Sequence, residues 1–129
     1  MAGSLLLDTS FVIELFGRNA DAERVVASAS ELYLPAIVLG ELLYGAERSS
    51  RRAENIAQVE GFAASAAILA CDAETAWHYG EIKSSLRSRG KPLPDNDIWI
   101  ASVARQHQLT VATRDAHFGE IHGLALLSW

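Results

Sequence analysis

The chain has 129 residues, half of them apolar, with 11 basic and 16 acidic side chains and a formal net charge of −5. At roughly 100–200 residues per domain this length reads as one domain, residues 1–129, with a single core. The acidic balance excludes a basic, histone-like protein. It does not exclude a nucleic-acid partner, which responds to local charge rather than to the sum. The 8% aromatic content and the abundance of Ala, Leu, Ile and Val argue against disorder. One cysteine excludes an internal disulfide framework and any multi-cysteine zinc site.

The N-terminal MAGSLLLDTSFVIELF has no basic leader and is interrupted by Asp8, so it does not read as a signal peptide. The longest mostly apolar run, Phe62 to Cys71, falls short of the roughly 20 residues that span a bilayer. A soluble cytoplasmic protein is expected, with Cys71 in the run AILAC as a buried structural thiol.

In chain order, SLLL at 4–7 predicts a short buried strand stopped by Asp8. TSFVIELF at 9–16 predicts a helix ended by Gly17, and Asn19 or Asp21 can cap a short helix through Ala29. LYL at 32–34 predicts a second strand closed by Pro35. From Ala36 apolar residues at 38, 39, 42 and 43 take helical spacing to about Glu47. The charged ERSSRR then bridges to a helix with apolar positions 56, 59, 62, 63 and 66. AILAC at 67–71 is a third strand candidate. Asp72 can cap the next helix and Gly90 can end it. Pro92 and Pro94 keep the following loop extended, and Asp95 or Asp97 opens a helix containing IWIA. LTVA at 109–112 and LALL at 124–127 supply a fourth strand and a candidate fifth. Short, unalternating strands separated by helices predict a three-layer α/β/α domain around a mainly parallel sheet of four to five strands. In such folds ligands bind beyond the carboxyl ends of the strands.

Acidic residues stand at those ends: Asp8 directly after the first strand, Glu41 one turn into the helix after the second, Asp97 at the start of its helix, and Asp115 just past the fourth. Each has a plainer reading. Asp8 and Asp97 can be helix caps, Asp115 a turn residue and Glu41 part of a solvated helix face. Jointly they converge on one edge of a parallel sheet, and converging carboxylates repel unless something positive lies among them. Hard oxygen ligands point to Mg²⁺ or Mn²⁺ rather than zinc. Such an ion can activate a water for attack on a phosphodiester, with no histidine base and no nucleophilic side chain.

LLLDTS, the glutamate of LGELLYG, DNDIWIAS and LTVATRDAHF, in that order and spacing, resemble the PIN domain, and the arrangement is similar to VapC-type toxin ribonucleases of bacterial toxin–antitoxin pairs. The resemblance implies a metal-dependent endoribonuclease holding Mg²⁺ or Mn²⁺ on Asp8, Glu41, Asp97 and Asp115. It matches Thr9 and Thr113 to hydroxyls that orient the first and last carboxylates. It also implies an RNA substrate, a cognate VapB-like antitoxin and a homodimer. Asp95 then reads as a cap rather than a ligand.

Phosphates need cations. Lys83 and Arg87, four apart on one helix face, with Arg89 and Lys91 in the loop toward Asp97, form the preferred RNA-contact cluster. Arg114, between two site residues, can touch phosphate or pair with a surface acid. Arg48, Arg51 and Arg52 read as a solvated cluster. Trp77 and Trp99 read as core, Trp129 stays undecided, and His107, His117 and His122 read as surface residues. Leu39, Leu42, Leu43, Tyr44 and Phe62 exceed what one inner face requires. They make either a thick core or a groove for an antitoxin segment. A phospho-accepting receiver domain is a rival, with Asp72 in the accepting role, but the only lysines, Lys83 and Lys91, are misplaced for it. A haloacid-dehalogenase-like phosphatase needs two acids after the first strand, which DTS does not supply. A catalytically silent PIN-like interaction module is the remaining alternative.

Overall fold

The computed structural model describes residues 3–129. Five strands, β1 (Ser4–Leu7), β2 (Glu31–Pro35), β3 (Ala67–Leu69), β4 (Thr110–Ala112) and β5 (Leu126–Leu127), form one sheet in the order β3-β2-β1-β4-β5. All four pairings are parallel. Between them run α1 (Thr9–Phe16), α2 (Ala20–Ser28), α3 (Ala36–Glu47), α4 (Arg52–Ala63), α5 (Ala73–Ser88) and α6 (Asp95–His107). A 3₁₀ turn at Ala116–Glu120 follows β4 and was not legible in the sequence. Parallel crossovers are right-handed, so β1–β2 and β2–β3 lay their helices on one face and the β3–β4 crossover lays α5 and α6 on the other. The expected three-layer architecture with a parallel sheet holds.

Central strand β1 explains its own sequence. Leu5, Leu6 and Leu7 are buried, which an unalternating run requires when both faces are covered. Burying each such leucine contributes about 1.5–3 kcal/mol. Chain direction reverses its walk across the sheet between β1 and β4, so their carboxyl ends flank the switch point where α/β folds open a crevice. Register sets the next residues side by side: Leu7 is level with Ala112, which puts Asp8 beside Thr113.

The helix boundaries follow local chemistry. Asn19 caps α2 by accepting from the Asp21 and Ala22 amides, and Asp72 caps α5 in a reciprocal capping box with Thr75. Gly90 follows α5 at φ +68°, a conformation glycine adopts at least cost. On α3, Val38, Leu42 and Ala46 recur every four residues and are buried. Helix α6 is buried over Ile98 and Ile100–Ala104.

Some expectations fail. Strand β3 stops at Leu69, so Cys71 lies in the loop and is exposed, not a buried thiol. Helix α4 ends at Ala63, leaving Ala66 outside it. Trp77 is 78% exposed rather than core, because α5 buries Thr75, Ile82 and Leu86, and Trp77 points off that stripe. Trp99 is half-buried and stacks on Tyr79 at 4.0 Å between ring centres. No helix among the described residues is long and apolar enough to cross a membrane.

Candidate active site

Asp8 is buried at the tip of β1, where it caps α1. One oxygen accepts from the Phe11 amide at 2.8 Å and from the Ser10 hydroxyl at 3.2 Å, and the other accepts from the Thr113 hydroxyl at 2.6 Å. Burial pushes its carboxyl above the ordinary aspartate range. The bonds from Thr113, Phe11 and Ser10 pull the other way, and the charge of Asp115 adds to the rise. Capping and site membership are thus compatible for Asp8. The cap occupies one oxygen.

Glu41 lies half-buried on α3, and Thr9 at the start of α1 donates to its Oε1 at 2.6 Å. The hydroxyls are therefore distributed differently from the sequence expectation. Thr113 serves the first carboxylate, and its oxygen also accepts from the Asp115 amide at 3.0 Å, whereas Thr9 serves the second. Asp97 sits in the first turn of α6, where the helix dipole favours a negative charge. No helix-capping bond holds it. Its carboxyl is raised first by burial, then by the charges of Asp115, Glu41 and Asp8, with His117 opposing. Asp115, Glu41 and Asp8 thus lie near enough to Asp97 for their charges to act on its carboxyl.

Asp115 accepts from the backbone amide of His117 at 2.9 Å, and the His117 ring nitrogen Nδ1 lies 2.8 Å from the same oxygen. His117 is exposed, as expected of a surface residue, and still makes this contact. The two-residue spacing in DAH is the signal that carries the contact. Ser10 was likewise missed.

No arginine or lysine pairs with Asp8, Glu41, Asp97 or Asp115 among the described residues. The ion pairs of the molecule lie elsewhere, apart from His117 with Asp115. The donor set is all oxygen and carries excess negative charge, which fits a hard divalent cation in type. No group of three acidic, histidine or cysteine side chains already stands in ligating geometry among the described residues.

Asp95 is corrected. It is not the cap of α6, whose N-cap is Pro94 with no side-chain bond. Asp95 instead accepts from the Tyr79 hydroxyl and from Lys83 Nζ, each at 3.0 Å, and these contacts hold its carboxyl below the ordinary range. The cationic cluster divides. Lys83 and Arg87 line a cleft of 450 Å³ with Leu86, Pro92 and Leu93, and Lys91 is exposed nearby in sequence. Arg89 turns to the carbonyl and carboxylate of Glu120. Arg114 donates to the Trp129 carbonyl at 2.8 Å, lies 3.7 Å over its ring and reaches Asp21 at 3.5 Å. The surface-acid reading of Arg114 is the one observed, and Trp129 packs edge-on against Phe11.

With this fold and this edge in view, the comparisons are consistent. Residues 5–124 match the PIN domain. The chain belongs to the PIN domain family. It is 33% identical over 128 residues to the tRNA(fMet)-specific endonuclease VapC of Shigella flexneri, covering 96% of each chain. It is 35% identical over 122 residues to the toxin FitB of Neisseria gonorrhoeae, covering 86% of this chain and 87% of that one. Among solved structures, a chain of the DNA-bound VapBC of Salmonella typhimurium superposes with a TM-score of 0.87 at 32% identity, covering 98% of both chains.

Proposed function

We propose that this protein is a divalent-metal-dependent endoribonuclease and the toxin of a toxin–antitoxin pair, acting in the cytoplasm. The observation that carries the reading is the set of four carboxylates, drawn from the ends of β1 and β4, the second turn of α3 and the first turn of α6, with no arginine or lysine paired to them among the described residues. Asp8, Glu41, Asp97 and Asp115 would hold Mg²⁺ or Mn²⁺. When bound, the ion supplies a water of lowered pKa and neutralises charge on the phosphate under attack. The chain does the rest. Thr113 fixes one oxygen of Asp8 while the Phe11 amide and Ser10 hold the other, and Thr9 fixes Glu41 through Oε1 alone. Burial first, and then the charges of Asp115, Glu41 and Asp8, raise the Asp97 carboxyl, and a bound cation would favour its charged form.

RNA would run from the carboxylates toward Arg87 and Lys91, with Lys83, Arg89 and Arg114 committed to ties within the fold. The names of the relatives and the toxin–antitoxin assemblies among the matching structures support an antitoxin partner. The apolar cleft between α1, α3 and α4, lined by Ile13, Phe16, Leu42 and Val59 and touching Glu41, suits a helix or strand of that partner. A homodimer is the proposed assembly. The receiver alternative loses its support, since Asp72 is tied up as the α5 cap by Thr75 and Gln106.

The test is RNA cleavage with EDTA, then with Mg²⁺ or Mn²⁺ restored, beside Asp97→Asn. Cleavage that stops with EDTA, returns with metal and is absent from Asp97→Asn is expected. Full activity in EDTA overturns the metal. A wild type that cuts no RNA but binds partners selects the silent module.

A further inference from the structure

We propose that the groove beside Glu41 is a nucleobase subsite, in which the Tyr44 ring stacks on an unpaired base next to the cleaved phosphodiester and the Asn96 amide reads that base's edge. This rests on the ribonuclease reading and adds what selects the cleavage position.

The groove, of 980 Å³, runs between one face of α3 and the loop after β3. Thr9 and Glu41 belong to its wall, so an occupant lies directly beside the carboxylates. Ile37, Gly40 and Tyr44 share that wall at spacings of three and four, a face of α3 turned away from buried Val38, Leu42 and Ala46. Among the described residues Glu41 is the only charged one lining it. A phosphate is repelled there, whereas a flat uncharged ring is not.

Two side chains offer what a base needs. Tyr44 is 68% exposed and stacks on no other aromatic ring among the described residues. Every base presents a face to such a ring, and stacking is the usual means of holding single-stranded nucleic acid. Asn96 is exposed and adjoins Asp97. The chain's other asparagines are employed: Asn19 caps α2 and Asn55 donates to Ser49. Asn96 has no such bond among the described residues, and its amide offers both donors and an acceptor to a base edge. The other exposed aromatic, Trp77, lies with Ala76, Gly80 and Ser84 in a hollow that includes none of the four acids. The floor is open at Gly40, where an added Cβ meets nothing within 4 Å.

The test uses single-stranded RNA oligonucleotides that differ at one base on either side of the cut. Tyr44→Ala and Gly40→Leu are expected to raise KM roughly 5- to 100-fold and to flatten base preference at one flanking position. Tyr44→Phe should retain both properties. In an Asp97→Asn background, an oligonucleotide carrying a fluorescent base analogue at that position should be quenched on binding, and Tyr44→Ala should abolish the quenching. Unchanged KM and preference in Tyr44→Ala and Gly40→Leu, with Asp97→Asn still inactive, would overturn the subsite and leave the ribonuclease reading standing. A shift from dimer to monomer in Gly40→Leu with undiminished RNA binding would assign the groove to a second copy and also overturn it. A wild type that cuts no single strand would remove both readings together.

Discussion

Acidic side chains are treated differently on the outer surface and at the carboxyl edge of the sheet. Outside, Glu47 meets Arg52, Glu54 meets Arg51, Glu81 meets Arg105 and Asp95 meets Lys83. At the sheet edge Asp8, Glu41 and Asp97 meet no basic side chain among the described residues, and hydroxyls and a backbone amide do the holding. A carboxylate that already has its guanidinium is finished chemistry. Carboxylates gathered without one lower the stability of the empty protein and leave negative potential for a ligand to neutralise.

The largest test of this contrast is Asp97→Asn, which should lower cleavage by at least about 100-fold while raising the thermal midpoint of the metal-free protein by about 2–4 °C. Loss of both activity and stability would place Asp97 with the structural acids. Next, Thr113→Val strips the donor from Asp8 and the acceptor from the Asp115 amide. It should cost roughly 10- to 100-fold in activity or metal affinity, whereas Thr9→Val loosens Glu41 alone and should cost less. The pH dependence sharpens the comparison further. Asp97 binds its proton more tightly folded than unfolded, so its penalty is absent at low pH and grows as pH rises from about 3.9 through its raised pKa. The gain in thermal midpoint of Asp97→Asn over wild type should therefore shrink toward zero as pH falls below that range. A constant gain would remove charge as its cause. Smallest is Arg52→Ala on the surface, which breaks the pair with Glu47. It should move the midpoint by no more than about 2 °C and leave cleavage untouched, read by calorimetry beside the same RNA assay.

The elements with both a local pattern and a local stop were legible. SLLL ended by Asp8, Ala36–Glu47 opened after a proline, and the cap at Asp72 needed no knowledge of the rest of the fold. The neighbouring positions of Asp8 and Thr113, past the paired ends of β1 and β4, were legible too, because a parallel sheet sends strand ends to one edge. Errors arose where tertiary contacts decide. Asp95 read as a cap because its partner Lys83 is twelve residues away on another helix, and Arg114 stayed open between phosphate and a surface acid because nothing local announces Trp129. Trp77 read as core although 75, 82 and 86 already mark the buried face of α5 at helical spacing. Cys71 followed from extending β3 two residues too far.

The bond from Thr113 to Asp8 joins residues 105 apart in sequence. It ties the first strand to an inner strand that is synthesised long after it. A nascent chain emerging from the ribosome carries Asp8 early but cannot clasp it until β4 has cleared the exit tunnel. Any product truncated before β4 therefore lacks both the hydroxyl that orients Asp8 and the carboxylate of Asp115.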